Sequence, residues 1–270
     1  MLTRGERVQA RVSRKAQVVG RLLVAAIAVV VAGCGVPRDS STFSDVSRAA
    51  TPSADAGLPP NLDISFRWAP AESLDLMSAE GTFVRAYTES FELAFEGQST
   101  EWGYPGFVDA SPEGIDEQVT KVMSNSATRK VVNTVFYRPL RRVDNGATSR
   151  LILCRSESQS INQRSPSRDS VWKKIGEPWG YPVTIEFTRS EGGSPPAKQE
   201  GTRRAPSHSV FGDWRVIFYD RLGVGPENRA DIVACDALPP NPDLPVVGVE
   251  EGSQPWPTLP PSPGWPANGV

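Results

Sequence analysis

Glu101 and Glu177 each stand just ahead of a copy of the same four residues, Trp102-Gly103-Tyr104-Pro105 and Trp179-Gly180-Tyr181-Pro182. Paired carboxyls are the equipment of glycoside hydrolysis: one protonates the leaving group while the other attacks or activates water, once a fold sets their separation. Tryptophan and tyrosine beside them can stack on sugar rings or grip a peptide. Glu101, Trp102, Tyr104, Glu177, Trp179 and Tyr181 are therefore the candidate binding surface. A structural reading competes and is preferred: each glycine supplies a positive φ, the residue before each proline is held extended, and the aromatics pin a turn onto the core. The flanks of the two copies differ, so the recurrence does not extend to a duplicated domain.

Other chemistry finds few residues. His208 is the one histidine, set in a serine-rich loop where a solvated side chain is the ordinary outcome. There is no G-x-S-x-G elbow, no phosphate loop ending in G-K-[ST] and no H-E-x-x-H helix. Histidines and cysteines are too few for a structural zinc site, so no metal and no cofactor is expected. Gly223-Val224-Gly225 lacks the third glycine of a dinucleotide fingerprint and reads as a turn.

Residues 22–32 are eleven apolar residues, preceded by Arg4, Arg7, Arg11, Arg14, Lys15 and Arg21 against one acid, Glu6. That is the charged-then-apolar profile of an export signal. As a helix the run would cover about 16 Å, half of a hydrocarbon core of about 30 Å, so a permanent span is the weaker reading. Val31-Ala32-Gly33-Cys34 resembles the lipobox of bacterial lipoproteins. The resemblance implies that Cys34 carries a diacylglycerol, that cleavage makes it the new N-terminus, and that the body faces the extracytoplasmic side of the cell membrane. An uncleaved anchor, or an ordinary signal cut near Ala32, is the alternative. The formal net charge of −2 becomes more negative once the basic leader is removed, which argues against nucleic acid as a partner.

With Cys34 assigned to lipid, Cys154 and Cys235 remain, each at the end of an apolar run. In an oxidising compartment a disulfide between them would close a loop of about 80 residues and stabilise the fold by roughly 4.5 kcal/mol on the chain-entropy model. Two buried free thiols are the alternative.

The elements that must position these residues follow in order. Residues 34–60 form a flexible linker, residues 61–237 a globular domain, and residues 238–270 a proline-rich tail expected to be extended and disordered, with Trp256 and Trp265 as contact points. A helix is expected over residues 78–96, with Ser78 as N-cap and Gly97 as the stop. Phe83, Val84, Tyr87, Phe91, Ala94 and Phe95 form its core stripe, and Arg85, Glu89, Glu92 and Glu96 lie on the opposite, charged face. A second helix is expected from Ser111-Pro112 to about Ser126. Residues 131–138, ended by Pro139, and 150–156 read as strands joined by Asp144-Asn145-Gly146. Residues 183–188 alternate cleanly, as do residues 214–218. Residues 230–235 read as the strand that completes a hairpin with them. Residues 157–169 and 190–208 read as polar insertions.

This order of elements over residues 74–235 is similar to the NTF2-like, cystatin-like layout. The resemblance implies an α+β fold in which an N-terminal amphipathic helix packs on a curved antiparallel sheet. The lipobox, the linker, the Glu101-Trp102-Gly103-Tyr104-Pro105-Gly106-Phe107 string and the two later cysteines together are similar to envelope lipoproteins of actinobacteria, some carried by phages and prophages. The implied function is a lipid-anchored, non-catalytic binding domain with a membrane lipid at Cys34 and an envelope protein or glycan as partner. The alternatives are a superinfection-exclusion lipoprotein, a subunit of a secretion or conjugation apparatus, and an envelope-glycan hydrolase using Glu101 and Glu177.

Overall fold

Helix α1 (Ala79–Gly97) begins as its sequence dictates, with Ser78 Oγ accepting from the Gly81 N–H at 3.0 Å and Glu80 in the first turn. Gly97 is not the stop. It is the last helical residue, its missing Cβ leaves room for the Trp102 ring, and Gln98 at φ 55 makes the left-handed exit. The computed structural model describes residues 58–163 and 171–267. Cys34, the leader and the linker up to residue 57 lie outside the described residues, as do residues 164–170 and 268–270.

Around α1 the chain forms β1 (Leu62–Trp68), a 3-10 turn (Thr100–Trp102), α2 (Phe107–Ala110), α3 (Ile115–Thr120) and β2 (Val131–Asn145). There follow β3 (Thr148–Gln163), β4 (Val171–Thr188), β5 (Arg215–Asp220), α4 (Arg229–Asp236) and β6 (Gly248–Gly252). The result is a mixed α+β fold with one curled, mostly antiparallel sheet and few helices. Strand order is β1-β2-β3-β4-β5, with β1 parallel to β2 and the other pairs antiparallel. β5 pairs with the C-terminal part of β4 and β6 with its N-terminal part. Between these two partners β4 is bulged and meets α4.

One face of the sheet holds α1. Ile64, Val135, Leu151, Leu153, Val183 and Ile185 meet Phe83, Tyr87 and Phe91 in the main core. The alternation of residues 183–188 and the hairpin turn, with Gly146 at φ 62, are as expected.

Several expectations are corrected. β1 lies where no element was expected. β2 continues through Pro139 to Asn145, because a bulge between Pro139 and Arg141 absorbs the missing N–H. Residues 157–163 are strand, not loop. Residues 230–235 lie in α4, where Asp231 and Cys235 share the inward face and Asp231 grips Arg141 at 2.8 and 2.9 Å. The second helix is only Ile115–Thr120, and Val122 and Met123 are exposed. The chain leaves it to let Ser124 and Ser126 donate to the Glu96 carbonyl.

The tail is the largest correction. Residues 238–267 run back across the sheet's other face and along the free edge of β1, and Trp265 is 1% exposed. Prolines bring no N–H groups that need partners, so burial is limited only by the remaining donors. Three of those are matched: Trp256 N–H donates to Ser160 Oγ, Leu259 N–H to Thr134 Oγ1, and Ser262 N–H to the Phe66 carbonyl, while the buried Thr258 hydroxyl has no partner among the described residues. A stripe of hydroxyls on the outer face of β2 and β3 thus receives a proline-rich strap.

Candidate functional site

The two Trp-Gly-Tyr-Pro strings serve different parts of the fold. In the first, Tyr104 is buried; its N–H donates to Ser90 Oγ at 3.0 Å and its hydroxyl to Glu89 at 2.7 Å. Trp102 covers Gly97, and Glu101 is exposed in the 3-10 turn. In the second, Glu157 pairs with Glu177 and Arg155 with Tyr181, so Pro178, Trp179 and Gly180 form a bulge opposite Ser156 alone. Trp179 is buried on the outer face with Phe136, Cys154 and Cys235, while Tyr181 is 38% exposed. Neither glycine takes a positive φ, which corrects the expected turn chemistry. Gly103 instead leaves room for the Phe107 ring.

Glu177 therefore faces Glu157 in β3, whereas Glu101 stays in the turn after α1. Burial and the Glu157 charge hold the Glu177 carboxyl above the usual range. Burial pushes Glu157 the same way, but Arg155 and the Asn133 amide outweigh it and keep Glu157 low.

The charged stripe of α1, expected opposite the core, is buried as well. Glu92 lies 3.1 Å from Arg155 and 2.8 Å from Arg221, and accepts from the Tyr137 hydroxyl at 2.7 Å. Burial alone would raise its pKa; the two guanidiniums bring it down to about 2. Glu89 accepts from Trp68 Nε1, Trp265 Nε1 and Tyr104, yet burial still holds it high. Arg85 donates to the carbonyls of Gln199, Pro263 and Gly264, which ties the loop of residues 190–208 and the tail to the helix. These groups are consumed by one another and hold the layers together.

The outer face carries the more open feature. Where β1 ends, Arg67, Trp68, Ala69 and Pro70 face Phe136 and Arg138 of β2, Trp179 of the β4 bulge, and the strap from Pro239 to Asp243. They enclose a recess of about 500 Å³, in the range of small-molecule sites. A second recess of about 600 Å³ shares Pro70 and Arg138 and adds Glu72, Ser73 and Leu140. The strap is fixed by Arg67, which bonds Asp243 at 3.1 Å and the Pro260 carbonyl at 2.7 Å. Just before it, the Cys154–Cys235 disulfide joins β3 to α4, rather than two strands.

Arg67, Phe136 and Arg138 were missed in the sequence. The signal for Phe136 and Arg138 was the alternation of residues 131–138, which sends them to the face opposite Val135 and Tyr137. Among the described residues no helix is long and apolar enough to cross a membrane, and no His, Cys, Asp and Glu cluster is arranged to hold a metal ion. No protein-family model, curated protein or solved structure matches this chain.

Proposed function

We propose that this chain is a lipid-anchored protein of the cell envelope, tethered through Cys34, whose body is a non-catalytic binding module and whose outer recess is the binding surface. The observation that carries the reading is the recess itself. It has an apolar floor of Phe136 and Trp179, a wall built by the chain's own strap, and a disulfide that stiffens the junction. The lipobox-like string supports the tether. The disulfide is consistent with an extracytoplasmic setting. A long helix held in a curled sheet supports an NTF2-like reading of the body. Exclusion of phage or service in a secretion or conjugation apparatus would use the same surface. The hydrolase reading is weaker, since Glu177 meets Glu157, not Glu101, and Glu157 is tied to Arg155 and Asn133.

The test is photo-crosslinking in the native envelope, with benzoylphenylalanine replacing exposed Pro240 at the recess rim or, as control, exposed Val224. A defined adduct is expected from position 240 only, and Trp179→Ala should remove it. Equal labelling from both positions would overturn the reading.

A further inference from the structure

We infer that the outer recess takes a small molecule with one carboxylate on an apolar body, the carboxylate held by Arg138; this rests on the reading of the recess as the binding surface. Among the described residues, each of the other half-buried arginines has at least one partner, although the Nε of Arg150 and of Arg203 is buried without one. Arg67, Arg142, Arg150, Arg189, Arg204 and Arg221 each face a carboxylate, and Arg203 donates to the Ala267 carbonyl. Arg138 has neither an ion pair nor a hydrogen bond in the described residues, although it is half-buried and lines both recesses.

Charge sets the ligand's valence. Arg67 and Arg138 against Asp243 leave the 500 Å³ recess with one positive charge, which a monoanion neutralises. A dianionic phosphate would leave an unmatched negative charge against the apolar walls of Phe136 and Trp179. The planar guanidinium fork matches a carboxylate in two parallel hydrogen bonds, and such charge-assisted bonds are the strong ones. Glu72, which lines the neighbouring recess, is exposed and forms no pair with Arg138. It disfavours seating the anion on that side, so the carboxylate belongs on the Arg67 side of Arg138 and the apolar body on Trp179 and Phe136.

The experiment compares 4-phenylbutyrate with its neutral isostere 4-phenylbutanamide, titrated by calorimetry into the mature lipidated protein in phosphatidylcholine nanodiscs. The carboxylate should bind roughly tenfold or more tighter than the amide, the value of one charge-assisted hydrogen bond. Arg138→Gln should erase that preference and Arg138→Lys retain part of it, both with unchanged melting since Arg138 has no internal partner. Trp179→Leu should weaken both compounds alike. Equal binding of the two compounds, no binding of either, or a preference that survives Arg138→Gln would overturn the inference. A crosslink from position 240 to a neutral molecule would also overturn it while leaving the binding-module reading intact.

Discussion

The guanidinium of Arg85 lies 4.6 Å from the ring centroid of Trp265, joining the middle of α1 to the last turns of the proline-rich strap. The same indole donates to Glu89 at 2.8 Å, one helical turn further along. Arg85 and Glu89 are both buried, so the tail supplies part of the solvation that water would otherwise give them.

Trp265→Ala should therefore behave as a core mutation, costing about 3–5 kcal/mol. Trp265→Phe keeps most of the volume but leaves Glu89 without one donor, and should cost less. Urea denaturation followed by circular dichroism measures both. A change below about 0.5 kcal/mol for the alanine variant, the level of ordinary surface substitutions, would mean that the strap does not close the core.

Reduction of Cys154–Cys235 should lower stability by roughly 4.5 kcal/mol on the loop-entropy model. The sulfurs sit among Phe136 and Trp179 on the outer face, so the loss should also loosen the recess. Denaturation with and without reductant, compared with a Cys154→Ala/Cys235→Ala variant, gives the value. Identical curves in all three would remove the disulfide from the account.

Acid should act through Glu92. Its folded pKa of about 2 lies below the usual carboxylate value, so the stability it contributes is present above the unfolded value of about 4.3 and is lost as pH falls towards 2. At neutral pH Glu92→Gln should cost about 3–5 kcal/mol, since it leaves Arg221 with only Glu96 at 3.9 Å and Arg155 with only Glu157. Glu177 has the opposite sign. Its raised folded pKa contributes stability below the unfolded value, and that contribution is lost as pH rises through the folded value. Glu177→Gln should accordingly stabilise at neutral pH and matter little under acid. Stability curves from pH 2 to 8 for the three proteins check both signs.

The legible parts of the fold were those whose pattern is local. Ser78 announces the start of α1, and Val183, Ile185 and Phe187 announce the buried face of β4. Glu89, Glu92 and Glu96 were misread because their partners, Trp265, Arg155 and Arg221, come from distant elements that no periodicity reveals. Residues 157–163 looked like a loop because Ser158 and Ser160 are polar; they are buried beneath the strap, where Ser160 accepts the Trp256 N–H. The run Ile232-Val233-Ala234-Cys235 looked like a strand, yet a strand would set Val233 on the same face as Asp231 and Cys235, whereas the helix buries those two and turns Val233 out to solvent. Of the candidate site, Trp179 was singled out and the alternation of residues 131–138 marked Phe136 and Arg138 as outward-facing, whereas Arg67 became visible only once β1 and the strap had a place.

Native mass spectrometry of the protein drawn from its own membrane tests the central claim most directly. The account predicts a chain beginning at a diacylated Cys34, with its disulfide intact and carrying a small non-covalent adduct that Trp179→Ala loses. A chain that still begins at Met1, or an adduct of equal abundance on Trp179→Ala, would contradict it.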